Sequence, residues 1–166
     1  LDDAASYGKD LAAGAGTQLK AAQKEVVLQQ SFDDKTTKFE ELAAKIKETG
    51  VEVVVSTLND FQIVALLDAL KAISYTNIKV LGGDTIKTTL MLKGAGVTSG
   101  LFATSPILEA REFTAGGAFL DKYRAKYKIE PAYAGHYTYD AMYVLAGAIR
   151  RGESAKPQDI TATLKK

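Results

Sequence analysis

Apolar and polar positions along this chain follow two alternating rhythms. Val51 to Asp60 (Val-Glu-Val-Val-Val-Ser-Thr-Leu-Asn-Asp) is a near-continuous β-branched run that closes on small polar residues. Such runs mark strands covered on both faces, as in a parallel sheet with helices packed on each side. Ligands of those sheets bind beyond the carboxyl ends of the strands, so Leu58 to Asp60 is the first place to look for a site. Asn59 or Asp60 also suits the cap of a following helix, whose buried set is Ile63, Val64, Leu66, Leu67, Leu70 and Ile73.

Upstream, Tyr7, Leu11, Ala15, Leu19 and Ala22 form one apolar stripe, which predicts a helix over Ala4 to Lys24. Gly8, Gly14 and Gly16 interrupt it and point to close packing against a neighbouring backbone. As a dinucleotide-binding turn, Gly14-Ala15-Gly16 fails, because it lies inside a helix and the third glycine is absent. Glu25 to Phe32 reads as a strand through Val26, Val27 and Leu28. Thr37 with Glu40 has capping-box spacing, Phe39, Leu42, Ala43 and Ile46 follow at helical intervals, and Gly50 suits the helix end. Ile78 to Leu81 is a third strand stopping at Gly82-Gly83-Asp84, with a short helix over Thr85 to Lys93. Leu101 to Ala103 is a fourth, closed by Thr104-Ser105-Pro106. Helices over Glu112 to Lys128 and Tyr137 to Arg151, and one opening at Pro157, complete the chain.

Strict alternation without hairpin signals predicts an α/β fold: a three-layer parallel sheet with helices on both faces, one flavodoxin-like lobe over residues 1–166. The predicted first helix is preceded only by Leu1-Asp2-Asp3. In a flavodoxin-like strand order the first strand is central. The expectation is therefore a lobe lacking that strand, with Val26 and Val53 flanking an empty slot or closing directly on each other. That reading makes the chain a fragment of a longer protein, which intact mass spectrometry and N-terminal sequencing of the source material would test.

Composition narrows the function classes. With 46% hydrophobic and 25% charged residues, 166 residues can bury a core, and disorder is not expected. The net charge of +1 comes with scattered basic residues, which argues against nucleic acid as a partner. No apolar run approaches the ~18 residues of a membrane span, and Leu1 to Ala5 lacks the basic and apolar regions of a signal peptide. The absence of cysteine excludes disulfides and thiolate metal sites. His136, the single histidine, has no carboxylate partner placed by the sequence and reads as a helix-end or surface residue. No metal, cofactor or catalytic residue is expected. Ser105 lacks the Gly-x-Ser-x-Gly elbow of a hydrolase. Asp2-Asp3 and Asp33-Asp34 suggest the acidic Mg²⁺ cluster of a receiver domain, but the lysine and threonine placements do not follow. Tyr133, Tyr137, Tyr139 and Tyr143 are expected to pack their helix against the sheet or against a further lobe.

In order along the chain, a set of short words resembles the second lobe of type I periplasmic solute-binding proteins, the branched-chain amino-acid-binding group serving ABC importers. These are Asp3 with Tyr7-Gly8, Lys38-Phe39…Leu42…Ile46-Lys47 before Val51-Glu52-Val53-Val54, Leu81-Gly82-Gly83-Asp84, Gly100-Leu101-Phe102, and Pro131…Tyr133…Tyr139-Asp140-Ala141…Ala148. The resemblance implies a binding module, not an enzyme: one lobe of a periplasmic or extracytoplasmic clamp that closes on an amino acid or analogue. Its implied partners are the other lobe and the importer's membrane subunits. It further implies that Tyr7 reaches the cleft, that Asn59 sits at a cleft position often aromatic in relatives, and that Asp84 pairs with the ligand's α-ammonium. Each has a plainer reading beside it: Asp84 and Asn59 as helix caps, Tyr7 as the first buried residue of its stripe. The competing classes are a flavodoxin-like enzyme or receiver domain on the same sheet rim, and a sensor ectodomain with this fold.

Overall fold

The central valine run forms a strand, β1 (Val53–Ser56), in the computed structural model, which describes residues 1–94 and 100–166. It pairs in parallel with β2 (Lys79–Gly82), which pairs in parallel with β3 (Leu101–Ala103), in the order β1-β2-β3. The register sets Val54 beside Val80 and Leu81 beside Phe102. Around this sheet run α1 (Ser6–Ala21), α2 (Glu40–Thr49), α3 (Asp60–Ala72) and α4 (Thr89–Gly94), with a 3-10 turn at Asp84–Ile86. The fold is α/β with a three-stranded parallel sheet and helices.

The described residues divide into two compact units, Leu1–Pro106 and Ile107–Lys166. The first unit holds the sheet and the main core. Phe39, Leu42 and Ile46 of the α2 region and Ile63, Leu66 and Leu70 of α3 bury against Val54, Val80 and Ile78. Helix α2 stops at Gly50, whose φ of 65° lies in the left-handed region that favours glycine.

The structure corrects three expectations in this unit. First, cover on both faces of the valine run is not found. Val54, Ser56 and Val80 are buried, whereas Val53 is 54% exposed and Leu81 and Phe102 are also exposed. Helices α2 and α3 fill one face, while α1 stands across a cavity from β1. Second, among the described residues Glu25 to Phe32 makes only a single parallel bridge, Asp2 with Ser31, and β1 does not close onto it. Third, the capping box at Thr37 is not used, and α2 begins after Phe39. The Gln62 amide donates to the Asp33 (3.0 Å) and Thr36 (3.3 Å) carbonyls and holds that loop out of the helix. Of the three glycines in α1, only Gly8 is closely packed. A Cβ there would strike the Asp3 carboxylate, whereas at Gly14 and Gly16 it would meet open space.

At the chain start, the Leu1 α-amine donates to the Val55 carbonyl at 2.9 Å, and burial lowers its pKa from the ordinary 8.0. The folded state therefore favours the neutral amine, and the unfolded chain binds the proton more readily. Stability then rises with pH between the lowered folded value and 8.0, and the penalty is complete below that window. With a free amine at Leu1, the melting temperature is expected to climb as pH rises toward 8.0, and Nα-acetylation is expected to flatten that part of the profile. Identical profiles for the two forms would refute it.

The second unit is helical: a 3-10 turn at Ala110–Glu112, then α5 (Gly116–Tyr127), α6 (Gly135–Gly152) and α7 (Pro157–Leu164), with Pro157 opening the last as expected. Leu120 and Ala148 are buried, whereas Val144 and Leu145 are exposed. His136 is a structural residue: its Nε2 lies 2.9 Å from the Leu108 carbonyl oxygen, and its ring packs beside Phe113 and Tyr137. Tyr137, Tyr139 and Tyr143 are exposed, and the Tyr139 hydroxyl donates to that of Tyr143 at 3.1 Å. That bond is the main cause of a raised Tyr139 pKa.

Candidate ligand-binding rim

The residues following each strand's carboxyl end gather on one rim because the three strands are parallel. Leu58 and Asn59 follow β1, Gly83 and Asp84 follow β2, and Thr104 follows β3. The opening of α1 reaches the same rim. The Thr57 N–H donates to the Leu1 carbonyl at 2.9 Å, and the Thr57 hydroxyl donates to the Gly8 carbonyl at 3.1 Å. Gly8 is required there, since a side chain would collide with Asp3 and Thr57.

Tyr7 and Asp84, separated by 77 residues in sequence, meet at this rim: the Tyr7 hydroxyl donates to Asp84 Oδ1 at 2.9 Å. Tyr7 is 54% exposed, so it is not the buried stripe residue of the plainer reading. Gly83 lets the ring approach, as a Cβ there would lie 3.4 Å from the Tyr7 hydroxyl. Nor does Asp84 cap the 3-10 turn it opens; Gly83 occupies the cap position and the carboxylate turns to Tyr7.

Asn59 does cap α3. Its N–H and its side-chain amide donate to Gln62 Oε1 at 3.1 and 3.4 Å, so its backbone and one end of its amide are held by the helix. The structure thus joins Tyr7 to Asp84 directly and sets Asn59, held by Gln62, on the same rim. Asp60 accepts from the Thr88 hydroxyl at 2.7 Å, and Thr85 donates to the Leu58 carbonyl at 3.0 Å. Thr57, Thr85 and Gln62 brace the rim, and local pattern does not single them out as site residues. Only the small polar pair closing the valine run, Ser56-Thr57, hints at them.

Chemically, the rim presents a partly exposed carboxylate oriented by a phenol, an arrangement that suits a cationic amine better than an anion. Among the described residues no group of three His, Asp or Glu side chains is placed to hold a metal ion, and no helix is long and apolar enough to cross a membrane.

Comparison with known proteins bears on the whole chain. The family profile described as periplasmic binding protein matches residues 1–166. The Leu/Ile/Val-binding protein homolog 8 of Brucella abortus (strain 2308) is 26% identical over 168 residues, covering 96% of this chain and 41% of that protein. The crystal structure of a leucine-binding protein, LivK, from Thermotoga maritima MSB8 superposes with a TM-score of 0.81 at 20% identity, over 99% of this chain and 47% of that one. A solute-binding protein of an ABC transporter from R. palustris, in complex with benzoate, gives a TM-score of 0.77 at 18% identity, over 94% and 44%. The chain spans less than half the length of these relatives. With its profile match running from end to end, it belongs to the periplasmic binding protein family, whose members bind solutes and are not enzymes.

Proposed function

We propose that this chain supplies one wall of the cleft in a two-lobed, extracytoplasmic solute receptor for an ABC importer, and that its ligand is an amino acid or close analogue. The observation that carries this reading is the Tyr7–Asp84 hydrogen bond at the carboxyl-end rim. A carboxylate already oriented by a phenol can take a ligand ammonium without rearranging, while Tyr7 and Asn59 shape the wall around it. Hinge closure against the other lobe would exclude water and strengthen that charge pairing. The leucine-binding protein among the structural relatives supports this ligand class.

The benzoate-bound relative favours a second reading, an aromatic acid as ligand. A benzoate has no ammonium, and Asp84 would repel its carboxylate if the two met. One substitution separates the readings. In the full-length protein, Asp84→Asn is expected to weaken leucine binding roughly 10- to 150-fold, the worth of a charge-assisted hydrogen bond. The melting temperature should stay within a few degrees, because Asp84 is not a core residue. Calorimetric titration with leucine and with benzoate checks this. Unchanged leucine affinity, or stronger benzoate binding without any leucine binding in the parent, would overturn the amino-acid reading.

A further inference from the structure

The short turn that carries Asp84 lies past the end of the sheet. The ladder between β1 and β2 stops at Ser56 and Gly82, two residues before the carboxylate. Beyond it, side chains make the connection. Thr85, half-buried, donates its hydroxyl to the Leu58 carbonyl at 3.0 Å. Leu58 is 0% exposed, and among the described residues no backbone N–H reaches that carbonyl. Three residues on, the Thr88 hydroxyl donates to Asp60 Oδ2 at 2.7 Å and accepts from the Met91 N–H at 3.3 Å. The two acceptors belong to residues 58 and 60, so the segment 85–88 is stitched to the β1–α3 junction on both sides of Asn59.

Other contacts hold this turn less directionally. Ile86 is buried and fills the space over Gly82, where a Cβ would strike its side chain. Such apolar packing is non-directional and lets a turn pivot with little loss of buried area. Within the turn, the Ile86 N–H reaches the Gly83 carbonyl only at 3.4 Å, and the Lys87 N–H reaches the Asp84 carbonyl at 3.0 Å. Tyr7 grips the carboxylate tip, which does not fix the backbone that bears it. The Thr85 hydroxyl supplies what these contacts lack, a directional tie to the end of β1 one residue from Asp84.

We propose that Thr85 is a positioning residue for ligand recognition. By tying the 84–86 turn to the Leu58 carbonyl, it sets the spacing between the Asp84 carboxylate and the Asn59 wall, and with it which amine-bearing ligand fits. A charge-assisted bond from an ammonium is made at about 2.7–2.9 Å and weakens steeply off line, so a turn free to pivot forfeits part of it. This role rests on the amino-acid reading for its ligand, whereas the geometry of the turn does not.

The test uses Thr85→Val, which swaps the hydroxyl for a methyl of similar size, and Thr85→Ser, which keeps it, in the full-length protein. Thr85→Val is expected to weaken leucine binding about 10-fold by calorimetric titration, and Thr85→Ser to stay within about 2-fold of the parent. In an Asp84→Asn background the valine effect should shrink to under about 2-fold, because the two residues act through one contact. Unchanged leucine affinity in Thr85→Val, or an equal loss in both backgrounds, would overturn the role while leaving the amino-acid reading in place. A parent that binds no leucine would overturn that reading instead. Amide exchange at Lys87, measured without ligand, then decides the role. Faster exchange by about 10-fold in Thr85→Val but not in Thr85→Ser, beyond any change at Leu70 in α3, supports it, and equal rates reject it. Should the valine variant not fold, Thr85→Ala, which leaves room for a water at the Leu58 carbonyl, takes its place.

Discussion

Phe39→Ala is expected to cost about 3–5 kcal/mol of folding stability, the range for emptying a well-packed aromatic site. Phe39 is 2% exposed and stands edge-on to Phe32, with ring centroids 5.1 Å apart. It also opens α2, with its carbonyl accepting from the Ala43 N–H at 2.8 Å. Truncation would leave a cavity under a loop that is otherwise tied down by the Gln62 side chain, with little backbone free to collapse into it. Urea denaturation of Phe39→Ala and Phe39→Leu measures the effect, with leucine retaining most of the stability. A loss under about 1 kcal/mol for alanine would show that the Phe32–Phe39 pair is not part of the packed core.

Gln62→Leu is expected to cost about 2–5 kcal/mol although it removes almost no volume. Gln62 is 0% exposed and holds three elements with one amide: it donates to the Asp33 and Thr36 carbonyls and accepts from the Asn59 N–H. Leucine fills the same space and takes the partner from the Thr36 carbonyl and the Asn59 N–H, both on half-buried residues, while the Asp33 carbonyl keeps the Thr36 N–H at 3.0 Å. A buried polar group without a partner costs about 1–3 kcal/mol. Because Asn59 is among those released, its amide should also exchange faster than in the parent. Thermal melts with exchange at Asn59 check both effects, and a Gln62→Leu variant as stable as the parent would mean that water replaces the amide's bonds.

Those two residues show why some of this fold was legible in the sequence and some was not. Phe39, Leu42, Ala43 and Ile46 announced themselves by period, and all four are buried. The valine run, Gly82-Gly83-Asp84 and the helix-opening Pro157 likewise placed β1, β2 and α7. Gln62 gave no signal, because a glutamine inside an apolar helix looks like a surface position until the loop at 33–36 folds back upon it. The same contact explains the false capping box: Thr37 and Glu40 have the right spacing, but capping is a local preference that a buried tertiary bond outweighs. Glu25 to Phe32 has strand-forming residues but, beyond the bridge at Asp2, no neighbour to pair with among the described residues. At the rim, Tyr7, Asn59 and Asp84 were placed by the rule for strand ends together with the family resemblance. The hydrogen bond that joins Tyr7 to Asp84 across 77 residues could not be read from local pattern at all.

The half-covered sheet also governs how sharply this chain melts. Val53, Leu81 and Phe102 are wet before denaturation begins, so unfolding uncovers less new hydrocarbon than the chain length would suggest. The steepness of a urea transition and the heat-capacity step of a calorimetric scan both scale with newly solvated area. Both should therefore fall below the values usual for 166 residues, and a partner that seals this face should sharpen both.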